Sequence, residues 1–340
     1  EKFSYDTGEG HVLDVTMSGE GKDTLLFHGG PAVPLGPADI ERLNEGRRII
    51  YFDQRGAGLS THATIDGYNH PFHFLQKNTM LDGVKDGIGI LDMLGVEQAD
   101  VFGGSYGSLL ALVTGIKHPR RVGNMNLWGI IDGSSRQMDR IIDETAQTKA
   151  PIEYDRLKRV VGRENLHTYR DNTAELLRLV TDGTEEDRSA AAAFALYQFK
   201  LSEPVDIDGS GMGAIYEYFN SDEIADHTGP ELYDALSTLM GLSDLRGMAS
   251  IALKIFSEEF GIPDNFVRDN LHTLADEARR VRVTSGAQDW NTRAVNGEEL
   301  HDGLVAAGVQ SAFNLVENAG HSGSDPNMGL ALSAAAKSLL

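Results

Sequence analysis

The segment Gly103-Gly104-Ser105-Tyr106-Gly107 sets a hydroxyl among glycines. Such a pattern becomes chemical when a strand leads into it and a helix leaves it. Both can be read here: Asp100 to Phe102 is strand-like, and Tyr106 to Lys117 reads as a helix. A serine at so sharp a turn takes a strained backbone conformation and needs small neighbours. It gains an exposed hydroxyl beside a helix N-terminus, where unpaired N–H groups favour negative charge. A glycine-rich turn with an incidental serine is the plainer alternative, and the flanking elements weigh against it.

A serine hydroxyl is a weak nucleophile until a positioned base takes its proton. Among the eleven histidines, His321 lies in Asn318-Ala319-Gly320-His321-Ser322, just after the last strand-like run, Ala312 to Val316. That is where a Ser, Asp, His chain order puts the base. His301 falls within a helix-like stretch and His118 precedes Pro119, so both read as structural. His70 and His73 could form a metal pair but lack a third ligand, so no metal is expected. The orienting acid should follow the preceding strand, Val281 to Thr284, and Asp289 stands in that turn. Asp132, after the strand-like Asn124 to Ile131, competes for the role. His28-Gly29-Gly30-Pro31 follows the short apolar run Thr24 to Phe27, and the amides of Gly30 and Tyr106 could together hold an oxyanion.

To position these residues the chain must bring several strand ends to one edge. His11 to Met17 and Arg48 to Phe52 read as further strands, and Asn78 to Leu94 as a helix with Leu81, Val84, Ile88 and Leu91 on one face. Strands alternating with helices imply βαβ units and a mainly parallel sheet, an α/β class. From about Ser134 to Leu274 the pattern is almost wholly helical. Gln137 to Gln147, Ala174 to Val180, Glu185 to Phe199 and Glu231 to Met240 are the clearest stretches. After Glu298 to Ala307 and Ala312 to Val316, a last helix is expected from about Met328 to Leu339. The expected organisation is an α/β core of residues 1–133 and 276–340 with an all-helical cap of residues 134–275 inserted into it.

Composition narrows the function. Lys and Arg number 30 against 51 Asp and Glu, a net charge of −21 that argues against nucleic acid as a partner. No apolar run approaches the ~20 residues of a membrane span, so no membrane partner is expected. There are no cysteines, which excludes disulfides and thiolate metal sites. With no signal-like opening, the chain reads as cytoplasmic; because it begins at Glu1 rather than Met, secretion or a periplasmic location stays open.

Taken together, His28-Gly29-Gly30-Pro31, Asp53-Gln54-Arg55-Gly56-Ala57-Gly58-Leu59-Ser60, Asn78-Thr79, the Ser105 segment and Gly320-His321-Ser322 resemble the proline iminopeptidase (prolyl aminopeptidase) branch of the α/β-hydrolases. The resemblance covers about residues 10–132 and 280–340 and fades across the helical block. It implies an α/β-hydrolase fold and release of an N-terminal proline or another small apolar residue from short peptides through an acyl-enzyme, without metal or cofactor. It also implies that Asp53 and Arg55 form an ion-paired structural turn. Carboxylates of the helical block would hold the substrate amine; Glu217, Glu258 and Glu259 are the candidates. Two departures lie near the substrate: Ala32 stands where the family often has glycine, and Tyr106 where it often has tryptophan. An esterase, lactonase or amidase acting on a small neutral substrate could use the same residues, and a non-catalytic receptor could keep the same fold.

Overall fold

The computed structural model describes residues 1–33, 41–61, 75–162, 164, 166–181, 186–202, 229–239, 245–276 and 279–340. Among these residues one eight-stranded sheet has the order β1-β2-β4-β3-β5-β6-β7-β8. The strands are β1 (Lys2–Asp6), β2 (Val12–Ser18), β3 (Lys22–Phe27), β4 (Arg47–Phe52), β5 (Ala99–Gly104), β6 (Val122–Trp128), β7 (Arg280–Gly286) and β8 (Gln310–Val316). β1 and β2 pair antiparallel, β2 runs antiparallel to β4, and β3 to β8 are parallel. The α/β-hydrolase arrangement expected from the sequence is present. β1 was not expected; its apolar residues are only Phe3 and Tyr5, and both pack against the core.

β5 is buried at every position, as a central parallel strand covered on both faces must be. Helix α1 (Met80–Met93) begins with a capping box: Thr79 accepts from the Asp82 N–H, and Asp82 accepts from the Thr79 N–H. Helix α2 (Tyr106–Lys117) has Leu109 to Val113 completely buried, so it is apolar on all sides and lies inside the molecule.

Between β6 and β7 the described residues contain helices and no strand. These are α3 (Ser135–Asp139), α4 (Glu144–Lys149), α5 (Pro151–Val161), α6 (Tyr169–Thr181), α7 (Glu186–Leu201), α8 (Gly229–Leu239), α9 (Leu245–Ser257) and α10 (Phe266–Asn270). The single helix expected over Gln137 to Gln147 is broken, because Asp143 caps a new helix by accepting from the Thr145 and Ala146 N–H groups. Helices α11 (Ala294–Ala306) and α12 (Pro326–Ser338) complete the chain. Among the described residues no helix is long and apolar enough to cross a membrane.

The parallel register sets up the site. Phe27 pairs with Gly103, Gly104 with Trp128, Trp128 with Thr284, and Gly286 with Val316. β3, β5, β6, β7 and β8 therefore end at one level, and the segments holding His28, Ser105, Gly129, Asp289 and His321 leave the sheet along one edge. The carboxyl ends of parallel strands are where open α/β sheets place their ligands.

Candidate active site

Ser105 has φ 53° and ψ −127°, a conformation that side chains rarely adopt, directly before α2. Its N–H donates to the Trp128 carbonyl at 2.9 Å. The Ser108 hydroxyl donates to the Ser105 carbonyl at 2.6 Å and accepts from the Ile131 N–H. The glycines around it have no room for side chains. A methyl on Gly103 would lie 2.2 Å from the Gly107 carbonyl, on Gly104 2.1 Å from the Trp128 indole, and on Gly107 2.2 Å from the Phe27 carbonyl. The strain is therefore held by backbone packed on three sides, as expected of a conformation kept for function.

The loop that leaves β3 carries the second element. A methyl on Gly29 would sit 2.9 Å from Ser105 Cβ, so this loop passes directly over the serine. Gly30 has φ 77° and Ala32 has φ 59°. The left-handed backbone at Ala32 explains why glycine suits that position: it carries no Cβ penalty. Tyr106 is the first residue of α2, so its N–H has no acceptor within the helix. Its ring is 2% exposed and stacks on Phe260 at 6.4 Å. Burial, with smaller effects from Asp82 and Asp86, pushes the Tyr106 phenol up. The phenol therefore stays neutral.

On the other side, Asp289 and His321 meet. His321 Nδ1 lies 2.9 Å from Asp289 Oδ2. Asp289 is 3% exposed and closes its own turn: Oδ1 accepts from the Asn291 and Thr292 N–H groups at 2.9 and 2.8 Å. The β7 and β8 turns are laced together by Ala287 N–H to Val316 and Gln288 N–H to Ala319. Burial disfavours both charges, yet the mutual attraction and hydrogen bonding win: Asp289 is held below the usual carboxylate range and His321 above its ordinary value. A methyl on Gly129 would lie 2.9 Å from His321 Cε1. The peptide that receives the Ser105 N–H thus leads straight into the residue against which the imidazole packs.

Asp132, the competing acid, is engaged elsewhere: it accepts from Arg268 Nε at 2.6 Å and from the Ser134 N–H and hydroxyl. Of the candidate amine ligands, Glu217 lies outside the described residues, as do His70 and His73. Glu258 pairs with Lys254 one helical turn away, with half of its side chain exposed. Glu259 meets Arg170 at 3.3 Å and the Ser135 hydroxyl at 3.3 Å. It also borders a cavity of about 270 Å³ lined by Met138, Asp139, Tyr169, Phe256 and Phe260 among others. Asp139 was not singled out in the sequence, where it is one helical acid among many. Thr292 was also missed, although Asp289-Trp290-Asn291-Thr292 carries a signal: an aspartate that caps the amides two and three residues on.

The ion-paired brace expected in this turn is present at Arg55. Arg55, 3% exposed, forms two hydrogen bonds to Asp86 of α1 at 2.8 and 2.7 Å and reaches Glu9 at 3.1 Å. Asp53 instead closes the turn by accepting from the Leu59 N–H at 2.8 Å. The two residues brace the same loop through different partners.

A family model described as alpha/beta hydrolase fold matches residues 25–239. The chain is 38% identical over 125 residues to the 2-hydroxymuconate semialdehyde hydrolase of Pseudomonas putida, a match covering 36% of this chain and only 41% of that protein. It is 25% identical over 325 residues to a proline iminopeptidase of Arabidopsis thaliana, covering 94% of this chain and 74% of the relative. Among solved structures, an alpha/beta hydrolase enzyme from a Medee basin deep-sea metagenome library superposes with a TM-score of 0.60 at 13% identity, over 100% of this chain and 96% of that one.

Proposed function

We propose, for a chain that belongs to the α/β-hydrolase fold family, hydrolysis of an acyl bond by Ser105 through a covalent acyl-enzyme. The observation that carries this reading is the 2.9 Å His321–Asp289 pair, brought to the same sheet edge as the strained Ser105 turn. With Nδ1–H directed at Asp289, His321 keeps Nε2 free to take the serine proton. Ser105 Oγ then attacks the substrate carbonyl, and the Gly30 and Tyr106 N–H groups receive the developing oxyanion. His321 returns the proton to the leaving group, and water activated by the same imidazole releases the acid. In this reading the described helices of residues 134–275 serve as a cap on the core built from the described parts of residues 1–133 and 276–340.

The substrate we favour is a short peptide with a free N-terminal proline or other small apolar residue. The similarity to a proline iminopeptidase across 94% of the chain supports it. We place its amine in the cavity walled by Tyr169, Phe256 and Phe260, where Asp139, Asp171 and Glu259 stand with Arg170. An ammonium leaving water needs such paired negative charge. The test is a panel of aminoacyl-arylamides, each with its N-acetylated twin, and short acyl esters. Turnover confined to the free amines is expected; equal turnover of the acetylated twins contradicts the aminopeptidase reading. A small neutral acyl substrate is the second reading. It is favoured by the pairing of Glu258 with Lys254 and Glu259 with Arg170, which already offsets two of the candidate charges.

A further inference from the structure

Between Asp289 and His321 stands a hydroxyl that the mechanism above does not use. Thr292 is 2% exposed, and its Oγ1 lies 2.6 Å from Asp289 Oδ2 and 3.2 Å from His321 Nδ1. Oδ2 is the same oxygen that meets Nδ1 at 2.9 Å. A hydroxyl has one proton to give, and Nδ1–H has one to share. The short contact to an ionised carboxylate takes the hydroxyl proton. The Thr292 oxygen is then left as a second, longer acceptor for Nδ1–H. Both partners are fixed: the Thr292 N–H also binds Asp289 Oδ1, and Gly129 closes the remaining side of the cluster, where a methyl would lie 3.3 Å from Thr292 Oγ1.

We propose that Thr292 is a positioning residue of the triad, whose hydroxyl holds the Asp289 carboxylate against the imidazole and moderates the basicity of His321. This rests on the reading of Ser105, His321 and Asp289 as the catalytic set. The hydroxyl acts on His321 in two opposing ways. Donation to Oδ2 draws charge from the carboxylate and weakens its hold on an imidazolium. Acceptance from Nδ1–H strengthens that hold. The 2.6 Å charge-assisted bond outweighs the 3.2 Å shared one, so the net effect is to lower the proton affinity of His321. Asp289 is the charged group acting on the imidazole from the β7 turn. In the β8 loop Asp325 accepts from the Gly320 N–H, and beyond Thr292 the Arg293 guanidinium turns to Asp143 and the Arg140 carbonyl. The β6 exit and the start of α2 present the uncharged Gly129 and Ser105.

The test is the rate at which a fluorophosphonate modifies Ser105, followed against pH in the full chain, because it reads nucleophile activation without knowledge of the substrate. In Thr292→Val, modification at neutral pH should slow about tenfold. The acid limb of the rate should move up by about half a pH unit. Thr292→Ser should restore both. An acid limb in Thr292→Val that overlies the wild type, or a folded Thr292→Ser that behaves like the valine variant, overturns the proposal. If Thr292→Val does not fold, as read by near-ultraviolet circular dichroism, Thr292→Ala is judged by the same limb. Wild-type protein that takes no label at Ser105 refutes the triad reading itself. A labelled wild type with an unmoved variant limb refutes only the role of Thr292.

Discussion

The strand-end loops and the helices between β6 and β7 are stabilised by different means. In the loops backbone and side-chain polar groups bond to one another, and the backbone is strained at Ser105 and Ala32. Asp289 alone accepts from two backbone N–H groups, the Thr292 hydroxyl and His321. Among the helices the order comes from apolar faces: Leu176, Val180, Ala190 to Ala193, Leu236 and Leu253 are buried against one another's neighbours. Some of their charged residues pair within one helix, as in Glu175–Arg178 and Lys254–Glu258, contacts worth roughly 0.3–0.5 kcal/mol each. Many sequences can pack a helix face, but few can hold a serine at φ 53°. On the proposed mechanism, bond-making chemistry lies where one residue type fits, and substrate choice where several do.

Substitutions in the two regions should separate sharply. The largest effect is expected for Asp289→Asn, which keeps the shape but favours the wrong imidazole tautomer; kcat should fall by roughly 10³–10⁴ with the fold intact. A loss under tenfold would mean that the β7 turn is merely structural. The pH profile comes next. Asp289 outweighs burial and raises His321 above its ordinary value, so the base is lost when pH falls through that raised value. The acid limb of kcat/KM should therefore lie above about 6.5, and a limb well below it would break the link between the two loops. The smallest effect is expected for Glu258→Gln. Removing this half-exposed pair should change unfolding free energy by no more than about 0.5 kcal/mol. It should also leave KM for a free-amine substrate within about twofold, whereas Asp139→Asn should raise that KM about tenfold, as loss of a charged hydrogen bond does.

The same contrast explains what could be read from the sequence. The strands before Ser105, Asp289 and His321 were legible because their apolar runs end in glycine turns, and α2 was read over the residues it occupies, Tyr106–Lys117. Asp289 was separable from Asp132 only by its place after a strand; the Arg268 partner that engages Asp132 lies 136 residues away and leaves no local trace. The partners of the ion-paired brace at Arg55 were hidden for the same reason, since Arg55 reaches Asp86 on α1. Thr292 acts through a single hydroxyl whose meaning depends on two loops meeting. In the helices, periodicity identified the class of structure but not the capping at Asp143 that breaks the first stretch, nor which carboxylate faces the cavity.

Ser105 is the residue on which the proposed acyl chemistry depends. Wild-type protein treated with a fluorophosphonate, digested and read by mass spectrometry should carry the label on the peptide containing Ser105, and Ser105→Ala should carry none. Folded wild-type protein that takes no label, or a Ser105→Ala protein labelled to the same extent, would contradict it.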